Sequence, residues 1–193
     1  MYKAIRFVSF FVTVAFIISS CGSSEDLVTD FNDHVDFYRY KSYSLLEWNT
    51  NNDSIIDEQS RERILYAIAN ELNLRGFHWN ADGGDMRIAV HVLFDKKTAQ
   101  TEYNNYYKNQ YGNHYETSNI GFSKSTERFD KYEFWEGTLL IDIFDHETKQ
   151  LIWQGAKVNT LKQAASTEER NMRIEMIVEE TMKEFPIEKI STN

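Results

Sequence analysis

Residues that cross-link a chain or interrupt its helices and strands are rare in this sequence. Its 193 residues include one cysteine, Cys21, one proline, Pro186, and eight glycines. A single cysteine excludes a disulfide within the chain. Since a chain of this size buries about 68–70% of its unfolded surface, we expect it to fold without covalent staples.

Positive charge is scarce as well. The chain has 21 lysines and arginines against 30 aspartates and glutamates, which gives a formal net charge of −9. Nucleic acid and anionic lipid headgroups repel a protein of this sign. We therefore expect no nucleic-acid partner and no basic patch that holds the chain to a membrane.

The sequence also lacks the motifs that carry common chemistries. No Gly-x-Ser-x-Gly, Ser-x-x-Lys or phosphate-binding loop occurs. Residues 80–85 lack the frame and the later glutamate of a calcium loop, so we interpret them as a turn. The histidines show no spacing typical of zinc ligands, and we interpret them as surface residues: His34, His78, His91, His114 and His146. We predict no catalytic residue, no metal ligand and no cofactor.

One group of carboxylates is a candidate for acid/base chemistry. Asp142, Asp145 and Glu147 are close in sequence, and paired carboxylates can act as general acid and base. The alternating pattern directs Asp142 towards solvent, and Asp145 suits the first position of a turn, so we interpret the group as structural. We also interpret Trp153 as a core or sheet-face residue, and Gly137 and Gly155 as positions that allow a bulge or a close strand approach.

The longest apolar run lies near the beginning of the chain. Residues 1–20 contain Lys3 and Arg6 but no acidic residue, and the 12 residues 7–18 are uncharged and mainly apolar. This order is that of a secretory signal peptide, and the run is too short to span a bilayer. The tetrapeptide Ile-Ser-Ser-Cys at 18–21 resembles a bacterial lipobox, in which the cysteine thiol is lipidated.

Lipidation would explain why the sequence keeps a single cysteine at Cys21. Removal of residues 1–20 leaves 173 residues with a formal charge of −11, because the lost residues carry two positive charges and no negative charge. More than one acyl chain gives stable anchoring. Gly22 follows the cysteine where an aspartate could stand; by resemblance to lipoprotein sorting in two-membrane bacteria, this favours the outer membrane. Glu25 and Asp26 resemble surface-export signals of some groups, so the periplasmic and surface faces both stay open.

Hydrophobic periodicity predicts a single α+β domain over residues 36–188, which follows a lipidated cysteine and tether at 21–35. The pattern favours an antiparallel-rich sheet of about four to five strands with two helices packed on one face. We expect Gly76 to follow the first helix in a left-handed conformation and Ser166 to cap the second. The predicted elements are strands at about 40–48, 86–94, 137–144 and 151–158, the last two as a hairpin, and helices at about 57–74 and 167–185.

The segment at about 97–134 does not fit this pattern. It has little apolar periodicity, and a loop of this length in a compact domain is usually functional or disordered. Its tyrosines stand among Asn, Lys and Gln, a composition that suits contact with a polar partner and equally suits a solvated mobile loop. The possible binding residues are Tyr103, Tyr106, Tyr107, Tyr111 and Tyr115.

Three blocks of the sequence resemble the bacterial lipoprotein family of domain of unknown function 4136 (DUF4136). The blocks are residues 29–43, 67–77 and 136–155, and Glu-Phe-Pro at 184–186 is similar to the family's usual finish. Asp33 stands where the family often has proline, and the tyrosine-rich insert does not align with the family pattern. The resemblance implies a lipid-anchored envelope domain and no assigned reaction.

These observations favour a lipid-anchored cell-envelope protein with a non-enzymatic binding or scaffolding role. The expected partners are the membrane, through the N-terminal lipid, and an envelope protein or a glycan. Two alternatives stay open: a binder of a small ligand or glycan that uses the tyrosine-rich insert, and an envelope enzyme. A deep pocket with converging polar groups would favour the enzyme.

Overall fold

The fold is a six-stranded sheet with helices on both faces. The computed structural model describes residues 27–54, 56–94, 96–112, 114–117, 137–158 and 166–191. The elements are β1 Leu27–Phe31, a 3₁₀ helix Phe37–Arg39, β2 Ser42–Leu45, a 3₁₀ helix Thr50–Ser54, α1 Glu58–Asn73, β3 His78–Trp79, β4 Met86–Leu93, α2 Lys96–Tyr111, β5 Thr138–Asp145, β6 Leu151–Val158 and α3 Thr167–Thr181. The strand order is β1-β6-β5-β4-β2-β3. The first three neighbouring pairs are antiparallel, and β2 is parallel to both β4 and β3.

Helices α1 and α3 form the layer on one face of the sheet. On α1, Ile64, Ile68 and Leu72 recur at helical spacing and are buried against the strands. Burial of each such side chain contributes roughly 1.5–3 kcal/mol. The strand residues buried in this layer alternate along β4 and β5 and are Met86, Ile88, Val90, Val92, Leu139, Ile141 and Ile143.

The ends of these two helices are set by local hydrogen bonds. The Asp57 carboxylate accepts the N–H of Ser60 at 2.7 Å at the start of α1, and the Ser166 hydroxyl accepts the N–H of Glu169 at 3.2 Å at the start of α3. Gly76 follows α1 with a φ of 87°, a conformation that favours glycine. The predictions for Ser166 and Gly76 are confirmed.

Gly155 allows α3 to approach the sheet closely. A Cβ atom at this position would collide with the Trp153 ring and would lie 2.9 Å from the carbonyl oxygen of Thr181 on α3. Trp153 is fully buried, as predicted. The element that approaches Gly155 is therefore a helix, where a bulge or a close strand approach was expected.

Helix α2 packs on the opposite face of the sheet, and this corrects the prediction of a loop at 97–134. Tyr103 and Tyr107 are buried on its inner side, and Tyr107 packs edge-on against Phe144 of β5 at a ring-centroid distance of 5.4 Å. The helix forms because its tyrosines share one helical face and their rings supply the apolar area that aliphatic residues supply elsewhere. Residues 118–136 of the insert lie outside the described residues.

The sheet is larger than the sequence predicted. It has six strands where about four to five were expected, its pairing is mixed and not antiparallel-rich, and three helices cover two faces where two helices were expected on one. The predicted tether at 21–35 includes β1, which pairs along β6 from Leu27 with Lys157 to Phe31 with Trp153. β3 has two residues, too few for a periodic signal to detect.

Candidate binding cleft

A polar cleft of about 390 Å³ opens at the end of the sheet where β4 begins and β5 ends. Met86 pairs with Asp145 at this end, so the loop before β4 and the turn after β5 meet there. Tyr40, which follows the first 3₁₀ helix, completes the wall of the cleft. The residues that line the cleft are Arg39, Tyr40, Gly83, Gly84, Asp85, Asp145, His146 and Glu147.

Asp145 organises one wall of the cleft. Its carboxylate accepts hydrogen bonds from the Arg39 guanidinium at 2.5 Å and from the Tyr40 hydroxyl at 2.8 Å. It also accepts the backbone N–H groups of Glu147 and Thr148, both at 2.8 Å, so its predicted position at the start of the turn is confirmed. Burial alone would raise the pKa of Asp145, but the hydrogen bonds from Thr148 and Tyr40 and the charge of Arg39 hold the pKa below its ordinary value. The carboxylate is therefore ionised at neutral pH.

Asp85 organises the facing wall. Its carboxylate accepts the backbone N–H groups of Lys41 at 2.7 Å and Ser42 at 2.9 Å. Burial opposes ionisation, but these hydrogen bonds hold the pKa of Asp85 below its ordinary value. Gly84 lies so close to the backbone of Tyr43 that a Cβ atom would collide with it. The loop before β4 is thus fixed against β2.

Three basic side chains gather beside this loop and the β5–β6 turn. Burial lowers the pKa of His146, and the positive charges of Lys149 and Arg87 lower it further. Burial and the charge of Arg87 likewise lower the pKa of Lys149. The Lys149 ammonium donates a hydrogen bond to the carbonyl oxygen of His146, and Lys149 itself adopts a φ of 59°. A neutral imidazole therefore stands beside two cations at neutral pH.

A second polar cluster is buried under α2. Asp142 accepts hydrogen bonds from the Tyr107 hydroxyl and from the Gln154 amide, the latter at 2.5 Å. The Nε2 atom of His91 lies 3.0 Å from the Tyr107 oxygen and 3.5 Å from the Asp142 carboxylate. The Gln154 amide also reaches the Tyr103 oxygen at 3.3 Å. All five side chains are buried, so a substrate in solution does not reach them.

This cluster corrects two predictions from the sequence. Asp142 and His91 were expected at the surface, and each is 0% exposed because α2 covers that face of the sheet. Burial raises the pKa values of Tyr103 and Tyr107 well above the ordinary value, so both phenols stay protonated. The cluster thus supplies donors to a buried carboxylate, which is what a buried polar group requires. The other histidines expected at the surface are exposed or partly exposed: His34, His78, His114 and His146.

The predicted binding tyrosines lie in the core under α2. Their hydroxyls make internal contacts: Tyr106 donates to the carbonyl oxygen of Glu47 at 2.5 Å, and the Tyr111 oxygen accepts the N–H of Glu47 at 2.9 Å. Tyr111 alone of the five is partly exposed, and the buried rings are Tyr103, Tyr106, Tyr107 and Tyr115. That these tyrosines bind a partner stays a prediction. The predicted lipidation site, Cys21, lies outside the described residues.

Most residues of the polar cleft were not predicted as a site from the sequence. Arg39, Asp85 and Asp145 are distant in the chain, and no local pattern indicates that Arg39 meets a carboxylate 106 residues away. The signals that were present are the glycine pair at 83–84 before a strand and the turn-start aspartate. Each was interpreted as a turn, which is correct locally but does not reveal that the two turns meet.

A second cleft, of about 350 Å³, is mainly apolar. It lies beside Trp48, and the Arg61 guanidinium stands over the Trp48 ring at 5.7 Å. Its apolar lining includes Leu45, Leu46, Leu65, Ile88 and Val90.

Among the described residues, no group of three His, Cys, Asp or Glu side chains could hold a metal ion. No helix in the same part of the chain is long and apolar enough to cross a bilayer.

Comparison with known proteins identifies a family and a shared fold. Residues 27–187 match the family model described as Domain of unknown function (DUF4136). No curated protein matches the chain. A solved PDZ domain protein from Parabacteroides distasonis ATCC 8503 superposes with a TM-score of 0.50 at 19% identity, over 86% of this chain and 36% of that one. The chain thus spans about a third of that protein's length, and the likeness shows the fold alone. The PelC dodecamer from Paraburkholderia phytofirmans matches with a TM-score of 0.45 at 8% identity, over 81% of this chain and 93% of that one.

Proposed function

We propose, on the premise that this chain belongs to the DUF4136 family, that it is a lipid-anchored cell-envelope protein. Its folded domain binds or scaffolds another envelope component and catalyses no reaction. The polar cleft at the β4–β5 end of the sheet is the binding surface. An envelope protein or a glycan is the expected partner.

The observation that carries the binding role is the state of the cleft carboxylates. Asp145 and Asp85 each accept several hydrogen bonds from the protein, and their pKa values are lowered. A general acid or base works best with a pKa near the working pH and with a proton within reach of substrate. These carboxylates instead hold loops in place, which supports a rigid recognition surface over an acid/base site.

The proposal of an anchor rests on the first residues of the chain. A positive segment, a 12-residue apolar run and the tetrapeptide before Cys21 occur in the order of a lipoprotein signal. β1 begins six residues after Cys21, so a lipid on this cysteine would hold the domain close to the membrane. Gly22 favours the outer membrane, and protease shaving of intact cells distinguishes its surface face from its periplasmic face.

The binding role is tested by photo-crosslinking in the native envelope. A photo-reactive residue replaces Glu147 in the cleft, and a matched variant carries it at Glu62, which is exposed on α1. We expect a discrete crosslinked partner from position 147 that position 62 does not give. Identical products from both positions, or none from position 147, would contradict the use of the cleft.

The anchor is tested by metabolic labelling with a fatty-acid analogue. We expect label on the wild-type chain and none on Cys21→Ala, because the thiol is the atom that would carry the diacylglycerol. Equal labelling of the two chains would refute the anchor. The test is independent of the crosslinking experiment, so each half of the proposal can fail alone.

One observation favours the enzyme as a second candidate. His91, Asp142 and Tyr107 lie within hydrogen-bonding range of one another, an arrangement that could move a proton. Their complete burial under α2 weighs against this role, since substrate would enter only after the helix moved. Retention of the crosslinked partner by His91→Gln, with no change in any envelope activity, would support the binding role over the catalytic one.

A further inference from the structure

We propose that Arg87, Lys149 and His146 form an anion-binding site beside the polar cleft, which takes a carboxylate or a phosphate group of the bound partner. The inference deepens the proposed binding role and rests on it, because it assigns the chemical class of the group that the cleft recognises.

Most buried or partly buried cations of the described residues are paired with a carboxylate, and Arg87 and Lys149 are not. Within the described residues, no ion pair joins Arg87 or Lys149 to a carboxylate. Arg87 donates to the Ser44 hydroxyl at 2.7 Å, and Lys149 donates to a backbone carbonyl. Arg61 is likewise partly buried without a carboxylate in the described residues, but its guanidinium stands over the Trp48 ring, whereas Arg87 and Lys149 lie close to each other beside the cleft. The arginines and lysines that do have carboxylate partners are Arg39, Arg63, Arg75, Lys157, Arg170, Arg173 and Lys189.

The side chains of Arg87 and His146 converge on one point, and the Lys149 ammonium is bonded to the His146 carbonyl oxygen beside it. A Cβ atom built on Gly83 would lie 3.2 Å from the His146 ring and 3.4 Å from the Arg87 guanidinium. Both Arg87 Nε and His146 Nδ1 are buried without a hydrogen-bond partner. An unsatisfied buried polar atom is costly, and a ligand that supplies acceptors would remove that cost. Gly83 lines the cleft, so the point of convergence lies at its wall.

The nearby carboxylates of Asp145 and Asp85 do not neutralise these cations. Asp145 is bonded to Arg39, Tyr40 and two backbone N–H groups, and Asp85 is bonded to two backbone N–H groups. Burial is the main reason that the pKa values of His146 and Lys149 are lowered, and neighbouring cations lower them further. At His146 the charges of Lys149 and Arg87 act more strongly than those of Asp145 and Asp85, and at Lys149 the charge of Arg87 acts more strongly than that of Asp145. Positive charge therefore remains in excess at this point.

The chemistry of the three side chains fits an oxyanion. A guanidinium donates from a planar fork, an ammonium supplies a compact charge, and an imidazole gains a second donor when it is protonated. An anion bound here would offset the charges of Lys149 and Arg87 that face His146. The anion should therefore raise the pKa of His146. Asp145 and Asp85 act in the same direction as the anion, and burial acts in the opposite direction.

The test uses the full chain, purified in detergent, and follows the His146 ring and the Gly83 and Gly84 amides by NMR. Inorganic phosphate and acetate are titrated separately, and sodium chloride at matched ionic strength is the control for screening. We expect saturable shifts with one or both anions, together with a rise in the pKa of His146. Phosphate alone, acetate alone or both would each support the site and would identify the group.

Two variants remove the donors separately. Lys149→Asn keeps a residue that tolerates positive φ, and Arg87→Gln removes the guanidinium. Because each variant removes a charged hydrogen-bond donor, each should weaken anion binding about tenfold or more. The control is Lys108→Gln, an exposed lysine on α2, which should bind as the wild type does.

The outcomes separate the inference from the proposed function. Absence of any shift beyond that with chloride, or unchanged binding in both variants while the NMR spectra show a folded chain, would overturn the anion site. If crosslinks from position 147 persist in that case, the binding cleft stands without it. Loss of those crosslinks in a chain that still binds the anion would overturn the proposed use of the cleft instead.

Discussion

Asp142 and Asp145 lie three residues apart on β5, and their surroundings differ. Asp142 is enclosed by side-chain donors under α2, and Asp145 is held by Arg39 and by the turn at the end of the strand. Both are almost completely buried. The free-energy cost of burying each carboxylate is therefore offset by the hydrogen-bond donors around it. Single substitutions that remove one donor can measure this dependence.

Tyr107→Phe tests the cluster under α2. The substitution keeps the ring and removes the hydroxyl that donates to Asp142 and contacts His91, which leaves a buried carboxylate short of a donor. We expect the free energy of unfolding to fall by about 1–3 kcal/mol, measured by urea denaturation. The control is Tyr38→Phe, at a tyrosine that is 74% exposed, for which a change within about 0.5 kcal/mol is expected. Equal stability of the two variants would contradict the contact.

Asp145→Asn tests the cleft through pH. The pKa of Asp145 is lowered in the folded state, so its contribution to stability is complete above the unfolded value near 3.8 and is lost as the pH falls through the folded pKa. The variant should be less stable than the wild type at pH 7, and the difference should shrink towards pH 2–3. Denaturation at several pH values measures the difference. A difference that is constant across this range would refute the lowered pKa.

The sequence predicted these single residues unevenly. Asp145 at a turn start and Trp153 in the core are confirmed, because their roles follow from neighbouring residues. Asp142 and His91 were predicted wrongly because alternation assigns a residue to a face of the sheet but does not say what covers that face. Asp142 and His91 are buried because α2, which was not predicted, covers them.

At the scale of elements, α2 is the unexpected part of the molecule. Tyr103, Tyr107 and Tyr111 follow one another at intervals of four residues, and this spacing places all three on one face of a helix. The abundance of Asn, Lys and Gln around them gave the segment the composition of a solvated loop. Composition favoured the loop, and the spacing of the aromatic rings favoured the helix that forms.

Asn105→Pro tests α2 as part of the core. Asn105 is exposed in the middle of the helix, so proline there removes a backbone hydrogen bond and creates a clash without disturbing a packed side chain. We expect a loss of about 3 kcal/mol or more, with exposure of the rings that cover β5. The control is Asn105→Ala, which should not destabilise the fold. A proline variant that unfolds at the same urea concentration as the alanine variant would show that α2 adds no stability.

How well the remaining elements were predicted from the sequence depends on their length. Helix α1 and the β5–β6 hairpin were predicted to within a residue at each end, because each is long enough for its periodicity and its ends to agree. Helix α3 begins where it was predicted but ends at Thr181, four residues before the predicted end. β1 was absorbed into the tether and β3 was not detected. Both are short edge strands, and pairing with β6 and β2 determines them more than their own sequence does.

At the scale of the whole molecule, the two ends of the sheet have different roles in the proposed function. Leu27, Thr138 and Leu93 lie at one end, since Thr138 pairs with both Val158 and Leu93 and Leu27 pairs with Lys157. The polar cleft lies at the other end, beside Asp145. An eight-residue strand spans about 25 Å. A lipid on Cys21 would hold the Leu27 end within about 20 Å of the membrane, because six residues reach no further, and the cleft would then face away from it.

Fluorescence quenching in lipid vesicles tests this orientation. Since Cys21 is the only cysteine, the proposed lipidation would leave the domain free of thiols, and one label could then be placed at a new cysteine. Thr50→Cys places it near the Leu27 end, because the neighbouring Asn52 accepts the N–H of Val92, and Glu147→Cys places it at the cleft. We expect a headgroup quencher to act more strongly at position 50 than at position 147, and a soluble quencher to act on both. Stronger headgroup quenching at position 147 would mean that the cleft faces the membrane, and its partner would then have to be a lipid headgroup or a membrane-embedded protein.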